Sequence, residues 1–263
     1  MALVHFVIPV RDLRRFDARD AALVNLRSTL ASLQGQADAD WECTVVHSPD
    51  EQIAQMATAQ VHTVSVDLPE TQLPEEQNEE RLRLIRNDKG LRVAAGFNPS
   101  HRFTMVVDYD DLLREDVVAT IREHADSDAV AFTRCFGFYA PRTVRPLTMN
   151  PDGSGCGGSC IALASAALED PATLPSGTQR HTRHFGSHVS ALNDWKEAGK
   201  SIARVAGEPR VLYRLGDAHS ASASERPSKI IRTFIRQGKL RRAYHFMRSL
   251  QKLSAQELAR YGL

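Results

Sequence analysis

The stretch Phe103-Thr104-Met105-Val106-Val107-Asp108-Tyr109-Asp110-Asp111-Leu112 decides how this chain is read. A mostly apolar run over 103–107, the length of a buried strand, ends abruptly in three carboxylates. In open parallel α/β sheets, ligands collect at the carboxyl ends of strands. Acids crowded there cannot all stay ionised cheaply unless a cation neutralises them. A hard divalent ion with oxygen ligands, Mg²⁺ or Mn²⁺, does so and can also bridge phosphates. The plainer alternative is a helix cap with a solvated acidic turn.

The flanking sequence fits the same kind of sheet. Residues 3–8 form an apolar run closed by Pro9, and a helical stretch over 21–33 follows, with Leu23, Leu26, Leu30 and Leu33 at helical spacing. Further strands are expected at 41–46, 61–66 and 129–133, with helices at 51–57 and 115–124 and either one helix or two short ones over 81–95. Strands alternating with helices imply βαβ units and a mostly parallel sheet. Beyond 133 the pattern loosens. Strand-like pieces over 136–149 are broken by Pro141 and Pro146, and Gly153-Ser154-Gly155-Cys156-Gly157-Gly158-Ser159 is a glycine-rich loop. A short strand at 160–163 leads to a brief helix that Ser165 can cap. A loop at 171–182, a helix at 187–198, strands at 202–205 and 210–213, and helix over most of 228–261 complete the expectation.

Composition bounds the function. The chain has 263 residues, 42% hydrophobic and 25% charged, with a net charge of +1. These values exclude a disordered or collagen-like chain and do not suggest a globally basic nucleic-acid binder. No run approaches the roughly 18 apolar residues of a membrane span. The apolar run 2–10 has no basic region before it and no cleavage site after it, so it reads as a strand and not a signal peptide. Cys43, Cys135, Cys156 and Cys160 show no paired framework, which fits reduced thiols in a cytoplasm. Cys156 and Cys160 are separated by three residues, not the two of a redox motif, and read as small loop and strand residues. The charge is unevenly spread: from Ser224 onward it is +8, and the remainder carries −7.

Taken together, the segments Phe6-Val7-Ile8-Pro9-Val10-Arg11, Asn25-Leu26-Arg27-Ser28-Thr29-Leu30 and Trp41-Glu42-Cys43-Thr44-Val45-Val46 resemble the N-terminal half of a family-2-type glycosyltransferase of the GT-A fold. Asp108-Tyr109-Asp110-Asp111 falls where that family carries its Asp-x-Asp motif. Gly153 to Leu163 is similar to its glycine-rich loop and following strand, and Trp195 to Val205 to its later helix–turn–strand. Leu212 to Ser220 resembles its closing segment, where a histidine often completes a metal site. The resemblance covers residues 3–222. It implies an α/β GT-A domain over 1–222, with a mostly parallel central sheet flanked by helices, followed by a basic helical extension over 223–263. It implies an inverting hexosyltransferase acting on a nucleotide-sugar donor, UDP-linked by default, and a glycan or lipid-linked acceptor, with Mn²⁺ or Mg²⁺ as cofactor. Asp108, Asp110 and His219 would hold the metal. Pro9, Val10, Arg11, Lys89, Asp108, Tyr109 and Asp110 would line the nucleotide-sugar site, with Asp88 as N-cap of a helix from which Lys89 reaches the diphosphate. The implied setting is polysaccharide biosynthesis, in the cytoplasm or at the inner face of the membrane.

Departures from the family pattern are informative. The usual acceptor-side acid is replaced by Ser187-His188, so His188 becomes the candidate base and Asp194, further along the same helix, the fallback. His47-Ser48-Pro49 stands where many relatives carry a base-reading acid. His181 and His184 lie close in sequence, but with no cysteine ligands in the same loop they are a thin basis for zinc. An aspartyl-nucleophile phosphatase would have Thr or Val where Leu112 stands. A nucleotidyltransferase would place a glycine-rich phosphate loop after the first strand, and Pro9-Val10-Arg11-Asp12 has no glycine. A scaffold or glycan-binding protein that has lost catalysis stays open because the acceptor-side acid is missing. In the tail, Ile230, Ile231, Phe234, Ile235, Leu240, Tyr244, Met247 and Leu250 alternate with Arg and Lys. That pattern suits packing on the chain's own body, a subunit contact, or an interfacial helix on an anionic membrane.

Overall fold

Six consecutive buried residues, Val4–Pro9, form strand β1. A strand covered on both faces needs such an unbroken apolar run. In this computed structural model the described residues are 1–13, 19–69, 74, 76, 78–139, 142–170, 173–174, 176, 179–189, 191–215 and 227–263. From β1 the chain passes through α1 (Arg19–Gln34), β2 (Trp41–His47), α2 (Glu51–Ala54), β3 (Val61–Ser65), α3 (Glu79–Gly96) and β4 (Phe103–Val106). It continues through β5 (Leu112–Leu113), α4 (Val117–Glu123), β6 (Ala129–Phe132), β7 (Arg134–Tyr139), β8 (Thr143–Thr148), β9 (Ile161–Ala164) and α5 (Ser165–Glu169). The final elements are α6 (Ala191–Glu197), β10 (Ile202–Val205), β11 (Val211–Arg214), α7 (Pro227–Arg236), α8 (Leu240–Ser249), β12 (Gln251–Lys252) and α9 (Ala255–Ala259).

Seven strands make the main sheet in the order β10-β6-β9-β4-β1-β2-β3. All neighbouring pairs are parallel except those of β9, which runs antiparallel to β4 and β6. The expected mixed α/β architecture with a mostly parallel central sheet is therefore present. Leu23, Leu26, Leu30 and Leu33 of α1 are buried, as their spacing requires. Each such side chain contributes about 1.5–3 kcal/mol. A second, five-stranded sheet runs β12-β8-β7-β11-β5. Its small core joins Leu112, Phe138, Val144 and Leu212 to Leu253, Leu258 and Tyr261.

Several local expectations are corrected. Residues 79–96 form one helix capped by Asn78, whose side chain accepts from the Arg81 amide at 2.9 Å. Asp88 is thus not an N-cap: it lies inside α3 and pairs with Arg92 one turn on, at 3.0 Å. Ser165 begins α5 rather than preceding it, and its hydroxyl is 2.8 Å from that of Thr104. Pro146 does not break β8. It sits in register with Phe136, where β7 and β8 pair antiparallel. The helix expected over 187–198 starts at Ala191, so Ser187 and His188 belong to the segment leading into it.

The tail is not helix throughout. After α7 and α8 the chain adds β12 to the second sheet, opposite Val144 and Thr143 of β8. Helix α9 opens with a capping box between Ser254 and Glu257. The Tyr261 hydroxyl donates to the Pro209 carbonyl at 2.6 Å. Within α8, Ala243 and Phe246 are buried, and the Arg145 guanidinium lies 5.0 Å from the Phe246 ring centroid. Ile235, Leu240, Tyr244 and Met247 remain exposed. No helix among the described residues is long and apolar enough to cross a membrane.

Candidate active site

Strand pairing sets the position of the acids. β1 and β4 run side by side with Val7 opposite Val106, and the Val107 amide donates to the Val7 carbonyl at 3.0 Å. Pro9, Val10 and Arg11 therefore leave the sheet at the edge where Asp108 leaves it. Val10 is fully buried, and its amide donates to the Val46 carbonyl at 2.8 Å. Just past the end of β2, Ser48 is held by Arg92, whose guanidinium donates to the hydroxyl at 3.2 Å.

The turn after β4 separates its three acids by environment. The Asp111 amide donates to the Asp108 carbonyl at 3.0 Å, which folds the turn. Asp108 has its Oδ1 2.5 Å from the Lys89 ammonium on α3. Burial alone would raise the Asp108 pKa, but the Lys89 charge and hydrogen bond, with His188 and Arg11 nearby, hold it below the ordinary value. Asp110 is pushed up to about 7 by burial and by the negative charge of Asp108, against the pull of Arg214 and Arg11. Asp111 is fully buried and its pKa is also raised, by burial and its two acidic neighbours.

Ser159, in the glycine-rich loop, ties this turn together. Its hydroxyl accepts from the Asp108 amide at 3.0 Å and donates to Asp111 Oδ2 at 2.6 Å. Asp111 Oδ1 accepts from the Arg214 amide at 3.1 Å, and the Arg214 guanidinium donates to the Asp110 carbonyl at 3.2 Å. Asp111 is thus the acid that fastens β4, the glycine-rich loop and β11 to one another, while Asp108 and Asp110 are half-buried at the edge. Tyr109 turns inward: its side chain is buried in the main core, and its carbonyl accepts from Thr29 of α1 at 2.8 Å.

His188 faces this array. A Cβ added to Gly158 would stand 3.1 Å from its Nδ1. Burial, and then the Lys89 charge, lower its pKa against the opposing pull of Asp108. The imidazole is therefore neutral near pH 7, the form that accepts a proton. A cavity beside it is lined by Lys89, Thr104, Val106, Gly158, His184 and His188. Asp194 sits elsewhere in the hydrogen-bond network. It receives two hydrogen bonds from Arg183, at 2.5 and 2.6 Å, and lies 2.9 Å from His184 Nε2. Burial opposes its ionisation, but these partners keep its pKa below the ordinary range. His184 packs edge-on against Trp195, and His181 pairs instead with Asn87 at 3.1 Å.

The structure thus brings Lys89, Asp108, Asp110 and His188 to one edge, with Arg11 in electrostatic reach of both acids. His219 lies outside the described residues. Ser159 and Arg214 escaped the sequence reading. Only the position of Ser159 at the end of the glycine-rich loop hinted at a role.

No protein-family model and no curated protein matches the chain. Solved structures do. TarS residues 1–349 from Staphylococcus aureus matches at a TM-score of 0.49 and 12% identity, over 88% of this chain and 72% of that one. Rv0371c from Mycobacterium tuberculosis matches at 0.42 and 12%, over 80% and 91%. That protein has also been crystallised with manganese. A nucleotide-diphospho-sugar transferase from Desulfovibrio desulfuricans matches at 0.38 and 10%, over 92% and 99%.

Proposed function

We propose that this chain is a metal-dependent, inverting glycosyltransferase of the GT-A type that moves a hexosyl group from a nucleotide-sugar, UDP-linked by default, to a glycan or lipid-linked acceptor. The observation that carries the reading is the acid array at the end of β4. Asp108 is kept ionised by Lys89, while burial and the neighbouring Asp108 charge push the pKa of Asp110 up to about 7. Two half-buried carboxylates with only oxygen donors suit Mg²⁺ or Mn²⁺. Asp108 and Asp110 would hold the ion, with His219 as the third ligand. When bound, such an ion offsets the negative charge that grows on a leaving diphosphate.

The chain's own residues supply the rest. Lys89, now paired with Asp108, would turn to a phosphate oxygen. Arg11, half-buried just past β1, would face the nucleoside, with the buried Pro9 and Val10 fixing the chain beneath it. The neutral imidazole of His188 would take the proton of the acceptor hydroxyl as its oxygen attacks the anomeric carbon opposite the diphosphate. Residues 1–222 would form the catalytic domain. The basic segment 223–263 would bring it to an anionic membrane, consistent with a cytoplasmic enzyme of polysaccharide biosynthesis.

The test is nucleotide binding with and without metal. UDP should bind the protein more tightly in Mn²⁺ or Mg²⁺ than in EDTA, and Asp110→Ala should abolish the difference. Equal affinity under both conditions would reject the site, and a screen of UDP-sugars for hydrolysis would then identify the donor or leave none.

A further inference from the structure

Three of the four cysteines meet in space. Cys135 on β7, Cys156 in the glycine-rich loop and Cys160 just before β9 place their sulfurs within 4.8 Å of one another. All three are buried and free. They form the one convergent group of three metal-type ligands among the described residues. Cys43 is buried in β2 without such company.

Buried thiols usually behave as small apolar side chains, each packed against carbon. Here the sulfurs face one another, although they arrive from three chain segments. Cys135 and Cys160 both hydrogen-bond to Cys156. A disulfide needs a sulfur separation of about 2.05 Å and would use two of the three. Zinc bonds sulfur at about 2.3 Å in a tetrahedron, which sets sulfurs about 3.8 Å apart and uses all three. With every pair within 4.8 Å, the widest separation exceeds that spacing by no more than about 1 Å.

We infer that Cys135, Cys156 and Cys160 form a thiolate site for a zinc ion that fastens the glycine-rich loop to the sheet. Each coordinating thiol gives up its proton to solvent as its sulfur binds, so no oxidant or reductant takes part. A water completes the tetrahedron, which leaves His188 free for its own role. The site would be separate from the oxygen ligands Asp108 and Asp110. Its effect on them would run through Ser159, which lies between the two sulfur-bearing residues and Asp111. Pinning both ends of the stretch Cys156 to Cys160 would hold the Ser159 hydroxyl where the acid turn needs it.

The experiment uses the full chain, reduced and stripped by a chelator, with Zn²⁺ or Co²⁺ as the probe. One equivalent should remain bound after desalting. Co²⁺ should develop intense sulfur-to-metal charge-transfer absorption, which oxygen ligands cannot produce, and Asp110→Ala should retain it. Zn²⁺ should raise the melting temperature. Cys156→Ser should weaken binding by more than the roughly 10–100-fold typical of losing an outer-shell partner, while Cys43→Ser should leave it unchanged. Co²⁺ binding without charge-transfer absorption would overturn the site, even if Cys156→Ser failed to fold. Undiminished metal binding by Cys156→Ser would overturn it too. So would a wild-type protein that takes up no metal but loses two hydrogens on mild oxidation, because the cluster would then be a disulfide pair with a spare thiol.

Discussion

The Lys89 ammonium lies 2.5 Å from Asp108 Oδ1, joining the middle of α3 to the end of β4. Both side chains keep some solvent contact, at 23% and 30% exposure, so the pair can open to a ligand. An incoming diphosphate would draw Lys89 towards itself and leave Asp108 to a metal. Replacing Lys89 with Met should therefore weaken UDP binding about tenfold or more, the loss expected for a charge-assisted hydrogen bond. Calorimetry of UDP binding in Mn²⁺ checks this. Unchanged affinity would confine Lys89 to a structural pairing with Asp108.

His188 and Asp194 should separate by experiment. On whichever UDP-sugar the protein turns over, His188→Ala should lower the rate about a hundredfold or more with little change in UDP affinity. Asp194→Asn should instead cost about 1–3 kcal/mol of stability, because Arg183 and His184 lose their charged partner. If Asp194→Asn unfolds normally in urea yet is inactive, while His188→Ala still transfers, the two roles are exchanged.

Ser159→Ala should destabilise the fold by about 1–3 kcal/mol, since it strips partners from the Asp108 amide and the buried Asp111 carboxyl together. Urea unfolding gives the value directly. A change near zero would mean that the two acids find other partners without the loop.

How much of this was legible follows from the range of each interaction. The runs 3–8, 41–46 and 103–107 became β1, β2 and β4 because a buried parallel strand writes itself as an apolar run. Leu23, Leu26, Leu30 and Leu33 announced α1 in the same way. The second sheet was harder. Leu112–Leu113 is two residues long, and its partner Val211–Arg214 lies a hundred residues on, so no local period marks it. Asp88 looked like a cap because Asp-Lys-Gly often opens a helix, but α3 already opens at the Asn78 cap, which leaves Asp88 mid-helix beside Arg92. The cysteines read as unrelated because spacing in sequence says nothing of β7 folding back on the glycine-rich loop. The acid run was visible, but which acid would be buried depended on Ser159 and Arg214.

Acid should loosen the protein through His5. This residue is buried in β1, hydrogen-bonded to Thr44 at 2.9 Å and stacked on His101, with ring centroids 4.8 Å apart. Its pKa is lowered to about 4 by burial first and then by the charges of His101 and His62. The folded state therefore binds this proton less readily than the unfolded chain. The His5 contribution is complete above the unfolded value of 6.5 and disappears as pH falls to about 4. Its size is roughly 3 kcal/mol. Stability measured from pH 7 to 4 should fall more steeply in the wild type than in His5→Phe; parallel curves would contradict the assignment.

The tail offers a membrane test that preserves the fold. Full-length protein should sediment with anionic vesicles at low salt and release at high salt, with each basic residue near the surface worth about 1 kcal/mol. Changing exposed Ile235, Leu240 and Met247 to Ser should abolish sedimentation. Removing the whole tail would be less informative, because it also takes β12 from the second sheet and Tyr261 from its core. Vesicle binding that survives the triple Ser variant, or never occurs, would dismiss the membrane reading.

The contact between α3 and the turn at His181–Phe185 leaves no room for a side chain. A Cβ on Gly90 would fall 1.6 Å from the His181 carbonyl oxygen, and one on Gly186 would fall 1.9 Å from that of Arg86. Two backbones pressed together in this way cannot slide past each other, and they behave as one rigid jaw. Lys89 is next to Gly90, and His188 follows two residues after Gly186. Any shift of α3 that carries the Lys89 backbone would carry the chain leading to His188 with it, so the grip on a phosphate and the approach of the base would open and close in step.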